Sequence, residues 1–192
     1  MHIIELDRRA VAESVRVVAR VGAGDLDRPT PCAQWTLGDL LAHMTAQHRG
    51  FAAAARGTGA DPRAWEVLPL GDDPVAAYTA AADDVVAAFA GPGVADARFA
   101  LPEFSTEVTF RGVRAVGFHF LDYVVHTWDV ARSLGVHPAL PPELVTAALP
   151  IAEAVPDGPG RAQPGAPFAP RLSIVEGATD LDRLLALVGR AP

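Results

Sequence analysis

Most apolar positions in the chain recur at i, i+3 and i+4, which predicts helices rather than strands. Over residues 6–21, Val11, Ser14, Val15, Val18 and Ala19 keep helical spacing, and Gly22 ends the run. Thr36-Leu37-Gly38-Asp39 has the form of a capping box with Asp in place of Glu. It opens a second helix to about Arg56, stopped by Gly57-Thr58-Gly59. A third is predicted over 74–90, with proline in its first turn and an alanine-rich body, closed by Gly91-Pro92-Gly93. The longest periodic stretch covers 112–134 and ends at Gly135. A fifth helix follows Pro141-Pro142 to about Val155, and Thr179 caps a last one over 180–188.

Between the helices the pattern changes. Phe99, Leu101, Phe104, Val108 and Phe110 alternate with polar residues over 98–111, as in a short hairpin or an irregular crossover. Residues 156–170 hold five prolines and three glycines and are expected to be irregular surface, while 171–176 reads as a small strand. The expectation is one mainly helical domain, a bundle to about residue 155 with an appendage over 156–192.

The fourth helix carries the chemistry. Asp122 and His126 are i and i+4, so they lie about 40° apart around the axis and about 6 Å apart along it. A carboxylate and an imidazole so placed can reach one divalent ion. His119 shares the azimuth of His126 but lies about 10 Å away along the axis, which makes it a pocket wall rather than a ligand. The bland alternative is that Asp122, His126 and Asp129 form a solvated face opposite Val113, Gly117, Phe120, Val124 and Ala131. Phe118 and Val125 flank that polar lane and argue for burial.

On the second helix, Leu37, Leu40, Leu41, Met44 and Phe51 make the core stripe, with His43 at its edge. Gln47, Gly50 and Ala54 follow His43 along one lane, and Gln47 and Gly50 join His119 as pocket candidates. Three ligands from two helices, His43, Asp122 and His126, would leave coordination positions open, the arrangement of a catalytic rather than a structural metal site.

Composition narrows the picture. A net charge of -7 without a basic stripe excludes a nucleic-acid partner. Cys32 is the single cysteine, so there is no internal disulfide framework and no cysteine-only zinc site. It reads as a packed thiol rather than a ligand or nucleophile. Asp72-Asp73 and Asp83-Asp84 read as exposed helix-start or loop charges, and no glycine-rich phosphate loop stands out. No run approaches the roughly 18 apolar residues of a membrane span, and the first residues lack a signal-peptide core, so a cytoplasmic protein off the membrane is expected. All 16 basic residues are arginine and 37 residues are alanine, which reflects coding bias rather than chemistry.

Two stretches carry a resemblance. Thr30-Pro31-Cys32-Ala33-Gln34-Trp35-Thr36 with Asp39-Leu40-Leu41-Ala42-His43, and Asp122-Tyr123-Val124-Val125-His126-Thr127-Trp128-Asp129-Val130-Ala131, are similar to the paired motifs of the actinobacterial mycothiol-dependent maleylpyruvate isomerase-like proteins of the DinB-like superfamily. The ending over 180–190 resembles the tail of one branch of that family. The resemblance implies an all-α fold in the main, a DinB-like four-helix bundle with a small irregular C-terminal extension. It implies one divalent metal on His43, Asp122 and His126, zinc first, with nickel, iron or manganese as the other choices. The carboxylate here is Asp where the isomerase has Glu, one methylene shorter. The implied activity is isomerisation or S-transfer on a small molecule with mycothiol as cosubstrate, and a homodimer is an option. An arginine such as Arg49 or Arg114 could pair with an anionic substrate, and the sequence does not choose between them. Two other classes stay open: a non-catalytic metal- or small-molecule-binding stress protein, and a hydrolase that activates water at the metal.

Overall fold

The computed structural model describes residues 2–32, 35–137, 140–163, 166 and 168–191. Ala33 and Gln34 of the first motif, and Pro164, Gly165 and Pro167 of the proline-rich stretch, lie outside the described residues. The chain divides into two compact units, residues 1–138 and 139–192.

The first unit is a four-helix bundle of α1 (Ile3–Val18), α2 (Leu37–Ala55), α3 (Pro74–Phe89) and α4 (Gly112–Leu134). The helices pack in a ring: α1 lies against α4 and α3, and α2 against α3 and α4. α1 starts three residues earlier than its apolar periodicity suggests, because the His2 side chain accepts the Ile4 amide at 3.4 Å and caps the helix. α2 starts where expected, at the capping box: Thr36 Oγ1 accepts the Asp39 amide at 3.1 Å and Asp39 accepts the Thr36 amide at 2.9 Å. α4 ends on Gly135 at φ 68, a left-handed position that glycine adopts without steric cost.

Leu40, Leu41 and Met44 of α2, Tyr78 and Val85 of α3, Val11 and Val18 of α1, and Phe120 and Val124 of α4 fill the bundle interior. Gly50 lets α2 approach Trp65 closely, since a Cβ there would sit 2.2 Å from the indole. The indole N–H donates to the Gly59 carbonyl at 2.8 Å, which holds the ring in place. Between α3 and α4 the alternating segment is a hairpin: β1 (Arg98–Ala100) pairs antiparallel with β2 (Thr109–Arg111), Phe99 opposite Phe110.

The second unit contains α5 (Pro142–Glu153), packed with α6 (Asp180–Leu187). The compact units divide near residue 138, and α5 groups with α6 in the second. Its apolar face of Leu144, Val145, Ala148 and Ala152 is buried, as are Leu184 and Leu185 of α6. In the proline-rich stretch the Arg161 guanidinium donates to the carbonyls of Pro156 at 2.8 Å and Leu187 at 2.7 Å. The strand expected over 171–176 does not form. Its Leu172 amide bonds the Ala186 carbonyl of α6 at 2.9 Å, Glu176 lies in a turn, and no described strand lies beside it.

Candidate metal centre

Three segments meet on one flank of the bundle. α2 brings His43 and Gln47, one turn apart on the same lane. α4 brings Asp122, His126 and Asp129. The connection between α1 and α2 brings Cys32 and Trp35. Its two ends are pinned by a bridge between Pro29 and Thr36, with the Leu37 amide donating to the Arg28 carbonyl at 2.8 Å and the Trp35 amide to the Cys32 carbonyl at 3.0 Å.

His43, Asp122 and His126 converge. Each offers a donor atom, and the three atoms lie within 4.8 Å of one another. His126 Nε2 is 3.3 Å from an Asp122 carboxylate oxygen. The His43 ring meets the His126 ring edge-on, centroids 5.6 Å apart, and the Trp35 indole lies 4.8 Å from the other side of His43. Both His43 and Asp122 are half-buried, so the cluster is open to solvent on that side.

The orientation of His126 comes from beneath. Its Nδ1 is 2.9 Å from Asp129 Oδ2, and the same oxygen accepts the Cys32 thiol at 3.2 Å. Asp129 is fully buried and His126 nearly so. With Asp129 accepting the Nδ1 proton, Nε2 is left facing Asp122 and His43, the arrangement by which a buried carboxylate fixes the tautomer of a ligating histidine. The solvated-face reading of this lane is thereby corrected, because the helix is buried almost all round and the polar residues satisfy one another. Cys32 is a packed thiol, but not an idle one. Cys32, His126 and Asp129 also offer donor atoms within 4.8 Å of one another.

Electrostatics follow the packing. Burial, then the charge of His126, brings the His43 pKa down to about 4, so His43 is a neutral imidazole with a free lone pair at neutral pH. For Asp122 burial pushes the other way, but the charge and hydrogen bond of His126 and the charge of His43 hold its carboxyl down to about 2. His126 is raised well above its ordinary value: burial opposes this, and Asp122, Asp129 and Cys32 overcome it.

The other pocket candidates lie elsewhere or act differently. Gln47 is buried and its amide nitrogen donates to both carboxylate oxygens of Glu103, at 2.8 and 2.9 Å. His119 is in the bundle interior rather than at an open wall: its Nδ1 is 2.6 Å from Asp7 of α1 and its Nε2 is 3.1 Å from His48 Nδ1. His48 stacks on Tyr123 at 4.0 Å, and burial drives its pKa well below the usual value, so it is neutral. Gly50 is covered by Trp65. Of the two arginines considered for an anionic substrate, Arg114 lies over the Phe110 and Phe118 rings at 5.8 and 5.5 Å, and Arg49 is exposed on α2. Asp73 caps α3 and Asp84 pairs with Arg56, so these acidic residues are structural.

Sequence reasoning passed over Asp7, His48 and Glu103 and read Asp129 only as part of a solvated lane. Asp129 was visible at i+3 from His126, and Asp7 and His48 sit within apolar stripes, Asp7 three and four residues before Ala10 and Val11, His48 four after Met44. A polar residue inside such a stripe signals a buried pair. Glu103 sits in an irregular loop with no periodic signal.

Among the described residues no helix is long and apolar enough to cross a membrane. The mycothiol maleylpyruvate isomerase N-terminal domain family matches residues 8–131, which takes in both motifs, all of α2 and α3 and most of α1 and α4. Two uncharacterised proteins of Mycobacterium tuberculosis, from strains CDC 1551 / Oshkosh and ATCC 25618 / H37Rv, are each 34% identical over 183 residues, 95% of this chain and 94% of theirs. No solved structure gives a significant match.

Proposed function

Since the chain belongs to the mycothiol maleylpyruvate isomerase N-terminal domain family, we propose that it holds one divalent metal on His43, Asp122 and His126 and uses mycothiol in an isomerisation or S-transfer on a small molecule. The observation that carries the reading is the convergence of those three donor atoms over a histidine whose far nitrogen is tied to a buried carboxylate.

The donor set of two imidazoles and one carboxylate suits a divalent first-row ion, zinc first. In that role the ion would lower the pKa of a thiol beside it and favour the thiolate at neutral pH. His43 is already neutral, and Asp122 is already a carboxylate. To hold the ion, His126 would give up its Nε2 proton, while Asp129 would keep the Nδ1 proton in place. Asp122 and Asp129 together put two negative charges around one imidazole, an environment that favours a cation. Three protein ligands leave room for the sulfur of a cosubstrate. Cys32 donates to Asp129, which makes it a support for the ligand rather than the nucleophile. Trp35 gives the opening an apolar edge beside His43.

Titration of cobalt-substituted protein with mycothiol tests the reading. A saturable heat with one site per chain and a new thiolate-to-cobalt absorption band are expected. No heat and no spectral change would overturn the thiol role.

A further inference from the structure

A thiol that binds as thiolate must give its proton to some group, and the cluster has none to spare. His43, Asp122 and the Nε2 of His126 are the proposed metal donors, and the Nδ1 of His126 is engaged by Asp129. Gln47 points to a further carboxylate. It lies one turn beyond His43 on the same lane of α2, and its buried amide donates to both oxygens of Glu103. This ties a carboxylate from the β1–β2 connection to the residue one helical turn from His43.

Glu103 makes no ion pair among the described residues, so its charge is unneutralised, and it is exposed enough to pass a proton on to water. Its environment also makes it a stronger base: partial burial raises its pKa, the Asp122 charge on α4 adds to this, and the Gln47 hydrogen bonds offset part of it. A carboxylate with a raised pKa, held by Gln47 one helical turn from the proposed ligand His43, is suited to general-base work.

We infer that Glu103, positioned by Gln47, is the proton acceptor for the thiol that enters the metal site. The S–H bond breaks, its electron pair stays on sulfur, and the proton forms an O–H bond with Glu103 before passing to solvent. No oxidant or reductant is involved. The inference rests on the proposed thiol role, and the test separates the two.

Cobalt-loaded wild type and Glu103→Gln are mixed with mycothiol in a stopped-flow spectrometer, and growth of the thiolate-to-cobalt band is followed. Glu103→Gln keeps the size and the acceptor oxygen that Gln47 uses, so its cobalt content and final band amplitude should match wild type. Its rate of band formation should fall on the order of 10²-fold, with partial recovery in high concentrations of acetate, an external base. A Glu103→Gln rate equal to wild type overturns the role of Glu103 and leaves the thiol reading standing. A purely structural role is recognised by lost cobalt or reduced amplitude without rescue by acetate, and also overturns it. Absence of any band in the wild type overturns the thiol reading and with it this inference.

Discussion

Replacing Asp129 probes the support beneath the candidate metal site without touching a ligand. Asp129 Oδ2 accepts from His126 Nδ1 at 2.9 Å and from Cys32 at 3.2 Å, and the carboxylate is fully buried. Asp129→Asn keeps the shape and an acceptor oxygen but removes the charge that fixes the imidazole. Loss of such an outer partner costs about 10- to 100-fold in metal affinity, or about 1.4–2.7 kcal/mol. Asp129→Ala removes the acceptor altogether and leaves the buried His126 N–H and Cys32 thiol without it, adding about 1–3 kcal/mol of lost fold stability. The assay is zinc competition against a chromophoric chelator at fixed pH, with urea unfolding of the metal-free proteins in parallel. The expected order of affinity is wild type, then Asn, then Ala, with marked destabilisation only for Ala. Wild-type zinc affinity in Asp129→Ala would refute the reasoning, because the Nδ1 contact would then have no hold on the ligand.

Two further outcomes follow from packing and charge. Gly50→Ala gains roughly 0.8–1.0 kcal/mol of helix propensity, but its Cβ would overlap the Trp65 ring carbons at 2.2–2.6 Å, and overpacking of about 1–3 kcal/mol wins. Thermal unfolding should show a lower midpoint, and an equal or higher one contradicts the contact. The metal-free protein should lose stability on both sides of neutrality. The folded-state pKa of His43, about 4, lies below its ordinary 6.5, so its contribution is full above that value and is lost as pH falls toward 4. His126 is raised, so its contribution is full below 6.5 and is lost as pH rises through its folded value. In urea titrations across pH, His43→Leu should flatten the acid-side loss. An unchanged acid slope in that variant would show that His43 is not buried as neutral imidazole.

Much of the bundle was legible because its helices have local punctuation. The capping box at Thr36, the proline at 74 and the left-handed Gly135 act within one turn of the backbone and read directly from the chain. The grouping of α5 with α6 depends on which apolar faces meet, which periodicity does not encode, and no described strand pairs with 171–176. Within the site, the three converging donors were readable from i, i+4 spacing and the paired motifs. The contacts of Cys32 and Glu103 were not, because each comes from an irregular connection whose path is set by tertiary packing. Asp129 was readable but ambiguous: the same i+3 spacing describes a solvated lane and a buried support, and only the burial of α4 decides between them.

The proposed function depends on one divalent ion binding His43, Asp122 and His126. Elemental analysis by mass spectrometry of protein reconstituted with zinc and freed of excess, compared with a His43→Ala plus His126→Ala double variant of unchanged helicity, tests it directly. One zinc per chain is expected in the wild type and almost none in the variant. No stoichiometric metal in the wild type, or equal content in both proteins, would contradict it.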